Sequence, residues 1–132
     1  MKNFNVRVYG ICVNEKREIL LVNEEYQGVK FTKFPGGGLE MGEGPIECLK
    51  REFKEELDWE IEDLGHFYTT EFYVPSVFDD SQVISIYFEI KGFGTVLPNE
   101  SFFWRALSDL EVEDVTFPID QEVVRRIGSY FK

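Results

Sequence analysis

Residues 51–56 read Arg-Glu-Phe-Lys-Glu-Glu. On a helix, Glu52, Glu55 and Glu56 stand at i, i+3 and i+4, so they are neighbours. Like charges at those spacings destabilise a helix by about 0.2–0.5 kcal/mol per pair. The chain already carries a net charge of −11, so crowding more carboxylates together calls for a reason. Carboxylates on a stiff helix can supply two or three oxygen ligands to a divalent cation. Mg2+ favours such ligands and keeps several of its waters. A cation held there can neutralise phosphate oxygens and lower the pKa of a bound water. The plainer alternative is a solvated helix face, with Lys50, Arg51 and Lys54 pairing the glutamates along the helix.

The segment in front of this helix weighs against the plain alternative. Residues 33–44 read KFPGGGLEMGEG. Pro35 pushes Phe34 toward an extended backbone. Gly36, Gly37 and Gly38 let main-chain groups approach a ligand with no Cβ in the way. A glycine-rich entry into a helix is a common approach to phosphates. No Gly-Lys-Ser/Thr follows, so this is not a Walker loop.

Taken together, Gly37, Glu43, Arg51, Glu52, Glu55 and Glu56 fill every fixed position from the first Gly to the last Glu of GX5EX7REUXEEXGU, where U is a bulky apolar residue. Residues 37–59 thus resemble the Nudix box. Two U positions hold the aromatics Phe53 and Trp59, and Asp58 replaces the last Gly. Asp tolerates the left-handed cap better than most residues but less well than Gly.

The resemblance implies a Mg2+-dependent hydrolase, with Mn2+ able to substitute, cleaving a nucleoside diphosphate linked to another moiety. It implies metal ligands at Glu52, Glu55, Glu56 and the Gly37 carbonyl. It implies that Arg51 holds the glutamates by ion pairing and that Glu43 steadies loop and helix. The general base varies within the family. Glu100, in LPNESFFW, is the candidate here, because its loop precedes a strand expected near the cleft. Homodimers are common in the family.

These residues need a scaffold. Residues 4–13 read as a central strand, apolar on both faces, and 19–24 as a second strand joined to it in a hairpin. Residues 25–33 read as a polar and aromatic loop, and 34–38 as a rigid turn. Residues 45–57 form the helix, with Pro45 in its first turn and Ile46, Leu49, Phe53 and Leu57 on one core-facing stripe. The carboxylates lie roughly 100° from that stripe, at its shoulder. Strands follow within 59–74 and 82–90, joined by an exposed loop, then a short strand at 101–107. A second helix at 118–131 carries Ile119, Val123, Val124 and Ile127 on one stripe. The expected class is α+β, an α/β/α sandwich with a mixed Nudix-like sheet flanked by helices, forming one domain over residues 1–132.

Composition sets limits. The chain has 132 residues, 43% hydrophobic and 16% aromatic, enough for a core that folds unaided. The acidic balance argues against nucleic acid polymers and anionic membranes as partners. No signal peptide or membrane span is legible, so a cytoplasmic setting is expected. Cys12 and Cys48 lie in apolar contexts and read as buried thiols. The lone histidine, His66, reads as a bystander. Phe34, Phe72 and Trp104 are the candidates for stacking on a base, and loops 25–33 and 75–82 would choose the substrate's second moiety. A competing reading is a Nudix-fold module that binds a nucleotide or nucleotide sugar without turnover, which the intact glutamates disfavour. A plain cation-binding acidic domain is weaker still, since no EF-hand pattern is present.

Overall fold

The computed structural model describes residues 3–91, 94 and 96–131. Two sheets form the scaffold. The first has the order β4-β1-β6-β5: β1 (Phe4–Cys12) lies between the short β4 (Gly36–Gly38) and β6 (Gln82–Lys91), with β5 (Glu62–Thr69) at the far edge. Strands β1 and β6 run parallel, and the other two pairings are antiparallel. The second sheet has β2 (Glu18–Tyr26) between β3 (Val29–Lys33) and β7 (Phe102–Ala106), all antiparallel. Two helices, α1 (Pro45–Leu57) and α2 (Pro118–Phe131), complete the α+β arrangement.

The period of two explains the layering. Along β1, Tyr9 and Ile11 enter one core cluster, whereas Val8 and Cys12 enter the other. Along β2, Ile19 and Leu21 join the first cluster, and Leu20 and Val22 the second. Strands β1 and β2 are therefore buried on both faces. Helix α2 closes the first cluster with Ile119, Val123, Val124 and Ile127. Helix α1 closes the second with Cys48, Leu49, Phe53 and Leu57. Burying each large apolar side chain contributes roughly 1.5–3 kcal/mol, which anchors α1 and hence its glutamates.

The helix boundaries fall where the sequence predicts. Gly44 is the N-cap of α1, and its N–H donates to Glu47 Oε1 at 2.8 Å. Asp58 ends the helix in the left-handed conformation, φ 56° and ψ 38°. Four expectations need correction. Strands β1 and β2 are not a hairpin within one sheet: only a bridge at Val13–Ile19 joins them, and β2 then enters the second sheet. Residues 25–33 are not a loop but the tip of the β2–β3 hairpin, because Glu24, Glu25 and Tyr26 pair with Phe31, Lys30 and Val29. The glycine turn is a strand, since Gly36, Gly37 and Gly38 pair with Tyr9, Val8 and Arg7. Ile46 is exposed, leaving Cys48 as the residue that completes the buried stripe of α1.

Candidate active site

Helix α1 packs on β4 and β1, which sets its carboxylates over the glycine strand. Arg51 organises them. Its Nε and Nη2 form a two-pronged pair with Glu43, at 3.0 and 2.6 Å. Nη1 donates to Glu52 at 3.0 Å and to Glu55 at 3.3 Å, and Nη2 also donates to the Gly38 carbonyl at 3.1 Å. The hydrogen bonds to Arg51 hold the Glu43 carboxyl down to about 2. Those same bonds raise the Arg51 pKa, so it is always charged.

Glu52 lies against Gly37: a Cβ on that glycine would fall 2.5 Å from Glu52 Oε1. Glu52 is the most sheltered of the three glutamates, its side chain 14% exposed, whereas Glu56 reaches out at the edge of the cleft. Partial desolvation by its surroundings pushes the Glu56 pKa to about 7; Lys33 opposes the rise, and the charge and hydrogen bond of Glu52 add to it. Glu52 and Glu56 therefore form a close carboxylate pair, and the charge of Glu52 favours a proton on Glu56. Glu55 stands apart, 60% exposed and held outward by Arg51. Among the described residues no three acidic, histidine or cysteine side chains converge into a closed metal cluster. The donor set nonetheless fits a hard divalent cation: two carboxylates and the neighbouring Gly37 main chain, with water completing the ligands.

Glu56 opens onto a cleft of about 840 Å3, lined also by Asn23, Glu24, Phe31, Thr32 and Phe102. Near the base of α1, Lys33 is only 4% exposed. Its ammonium pairs with Glu24 at 3.0 Å and donates to the Phe34 and Gly36 carbonyls at 3.3 Å each. It also sits 5.2 Å above the Tyr9 ring centroid. On the same face Tyr87, packed against Tyr9, donates to the buried Asp120, whose pKa burial raises to about 6 while that hydrogen bond opposes the rise. Neither the Lys33–Glu24 pair nor the Tyr87–Asp120 pair was legible in the sequence, because each forms only through the pairing and packing of separate elements. The one available cue was a lysine immediately before Phe-Pro-Gly-Gly.

The remaining expected residues are dispersed. Glu100 is exposed on a turn whose neighbours Asn99 and Ser101 line the cleft. Phe34 has no face to offer a base: it is wholly buried in the α2-side core, edge-on to Tyr87 with centroids 5.8 Å apart. Its place next to Pro35 holds it inward, and it leaves the stacking set. Trp104 has one face against Trp59, with centroids 6.3 Å apart. Phe72 is 49% exposed. Both thiols are buried, and burial pushes Cys48 up to about 12, so neither is a nucleophile.

A helix-borne carboxylate pair, locked by an arginine and set against a glycine-rich strand in this two-sheet fold, defines a hydrolase of phosphoric anhydride bonds. The NUDIX domain model matches residues 3–127, and the chain belongs to that family. The solution structure of the Escherichia coli ORF135 protein superposes with a TM-score of 0.78 at 18% identity, covering 97% of this chain and 91% of that one. A MutT structure, from a study of the Aliivibrio salmonicida and Vibrio cholerae proteins, superposes with a TM-score of 0.74 at 23% identity, covering 97% and 100%. In sequence, the chain is 34% identical over 86 residues to the mRNA-decapping protein OPG122 of Variola virus. That match covers 64% of this chain but only 34% of the viral protein, so the chain corresponds to about a third of that relative's length.

Proposed function

We propose that the protein hydrolyses a nucleoside diphosphate linked to a further moiety X, releasing a nucleoside monophosphate and phosphorylated X, with Mg2+ or Mn2+ bound at Glu52, Glu56 and the Gly37 carbonyl, and Glu55 joining them. The observation that carries this reading is the Glu52–Glu56 pair beside Gly37 at the mouth of the cleft. The cation, when bound, neutralises diphosphate oxygens and makes a coordinated water more acidic. Arg51 and Glu43 hold the helix glutamates in register, so little reorganisation is needed when charge develops. The water oxygen forms the new bond to phosphorus as the bridging P–O bond breaks, and the bridging oxygen leaves with the other phosphate. Glu100 is the proposed acceptor of the water proton, and Phe72 and Trp104 are the proposed base-stacking aromatics.

The same reading places the protein in the cytoplasm as a homodimer acting on small molecules, not on nucleic acid polymers; the net charge of −11 supports the last point. The resemblance to a viral mRNA-decapping protein puts cap-like dinucleoside polyphosphates among the substrates to try. The test is a screen of nucleoside triphosphates, nucleotide sugars and dinucleoside polyphosphates with Mg2+, with products resolved by chromatography. Phosphorylated X and a nucleoside monophosphate are expected from at least one substrate class. A panel with no product, but with a nucleotide that raises the melting temperature, would replace this reading with that of a binding module.

A further inference from the structure

Three cations stand near the carboxylate pair, and they differ in what holds them. Arg51 is fully engaged by Glu43, Glu52, Glu55 and the Gly38 carbonyl. Lys33 is buried and saturated by Glu24 and two carbonyls. Arg7, on β1, is half-buried, and only its Nε is used, donating to Tyr9 Oη at 2.6 Å. Among the described residues, Nη1 and Nη2 have no hydrogen-bond partner.

The position of this guanidinium is well determined. Tyr9 is buried, packed against Tyr87 with centroids 5.3 Å apart, and lies under the Lys33 ammonium. Arg7 pairs across the sheet with Gly38, one residue from the Gly37 that abuts Glu52. A Cβ at position 38 would lie 3.5 Å from Nη1, so the missing side chain leaves that nitrogen open. Glu24 and Glu52 are within electrostatic reach of Arg7 but make no ion pair with it. No buried side-chain nitrogen among the described residues lacks a partner, so the two free Arg7 donors stay open to solvent and to a ligand, and the planar fork matches two oxygens of one phosphate.

We propose that Arg7 is a substrate-binding residue whose Nη1 and Nη2 take the non-bridging oxygens of a terminal phosphate on X. The inference rests on the diphosphate-hydrolase reading above and narrows it. Substrates in which X ends in a phosphate, such as nucleoside triphosphates, are favoured over those in which X is a neutral sugar.

The test reads binding without turnover and without knowing the base. Inorganic triphosphate with excess Mg2+ is titrated into the wild-type protein and into Arg7→Gln, Arg7→Lys and the remote charge control Lys16→Gln. Arg7→Gln is expected to weaken triphosphate binding about tenfold or more, the loss expected for charge-assisted hydrogen bonds. Arg7→Lys should recover part of the affinity, Lys16→Gln should change it less than about twofold, and Mg2+ binding alone and the melting temperature should stay at wild-type values. The proposal is overturned if the wild type does not bind triphosphate or if Arg7→Gln binds it as the wild type does. It is also overturned if both Arg7 variants lose Mg2+ binding or melting temperature in proportion. A failed hydrolysis screen with Arg7-dependent triphosphate binding would remove the catalytic reading and leave this one standing.

Discussion

Gly37 and Glu52 share one small volume. A Cβ on the glycine would fall 2.5 Å from Glu52 Oε1, with Cδ and Oε2 almost as near. The obstructing atoms are the free end of a flexible side chain, so Gly37→Ala can fold by swinging Glu52 aside. The expected outcome is a melting temperature within a few degrees of wild type, with hydrolysis lowered about 100-fold or more as the carboxylate pair separates. Activity near wild type would show that Glu52 works from a different position.

Gly36 is the contrasting case. Its φ is +146°, and an added Cβ would collide with the Val8 carbonyl, a rigid main-chain group. Gly36→Ala is expected to destabilise the protein by about 2 kcal/mol or more, from strained backbone and a broken β1–β4 contact. Chemical denaturation measures this. A stability equal to that of Gly37→Ala would show that β4 can shift to make room.

Glu56 sets a pH dependence. Partial desolvation raises its folded pKa from an ordinary 4.5 to about 7, so between those values the folded state holds a proton that the unfolded state has released. The stability this gives is fully present below the unfolded value and is lost as pH rises through 7. Asp120 acts with the same sign between 3.8 and about 6. Glu43, held near 2, acts oppositely, and its contribution is lost only as pH falls from 4.5 toward 2. Calorimetry of the metal-free protein should therefore show a higher melting temperature near pH 5.5 than near pH 8. The gain from added Mg2+ should grow with pH, because protons compete for the same oxygens. A metal-free melting temperature that climbs from pH 5.5 to 8 would contradict the Glu52–Glu56 pairing.

Replacing Glu56 by Gln removes the repulsion with Glu52. The metal-free variant should be as stable as wild type or slightly more so, while hydrolysis falls about 100-fold or more. The rise in melting temperature on adding Mg2+ should shrink. A strongly destabilised metal-free variant would assign Glu56 a structural role instead.

Asp58 is the one departure from the box between Gly37 and Trp59 other than the aromatic substitutions, and it sits at φ 56°. Glycine adopts that conformation without the Cβ penalty. The exposed Lys54–Asp58 pair that would be lost, at 2.9 Å, contributes little. Asp58→Gly is expected to stabilise the fold by about 0.5 kcal/mol with no change in turnover. Any destabilisation, seen by denaturant titration, would mean that the ion pair outweighs the backbone strain.

Much of the local structure was legible because local forces decide it. Pro45 at the start, the apolar steps Leu49, Phe53 and Leu57, and the cap at Asp58 place α1 within 45–57 from sequence alone. The same holds for α2. The pairing of residues 25–33 was misread because Gln27 and Gly28 form a tight turn between polar strands, and no alternation of apolar residues marks them. Phe34 was misread because an aromatic beside a glycine strand looks the same whether it turns to solvent or to the core.

By itself, the sequence determined the family, the two helices and which carboxylates ride on α1, because spacing along a helix converts directly into position on its surface. The tertiary structure alone decided that Glu52 is sheltered against Gly37 while Glu55 and Glu56 stay exposed, that Lys33 is locked to Glu24, and that Arg7 keeps two open donors. Those relations join residues from different strands and both sheets. They follow from how the layers pack, and packing brings together groups that no local spacing connects.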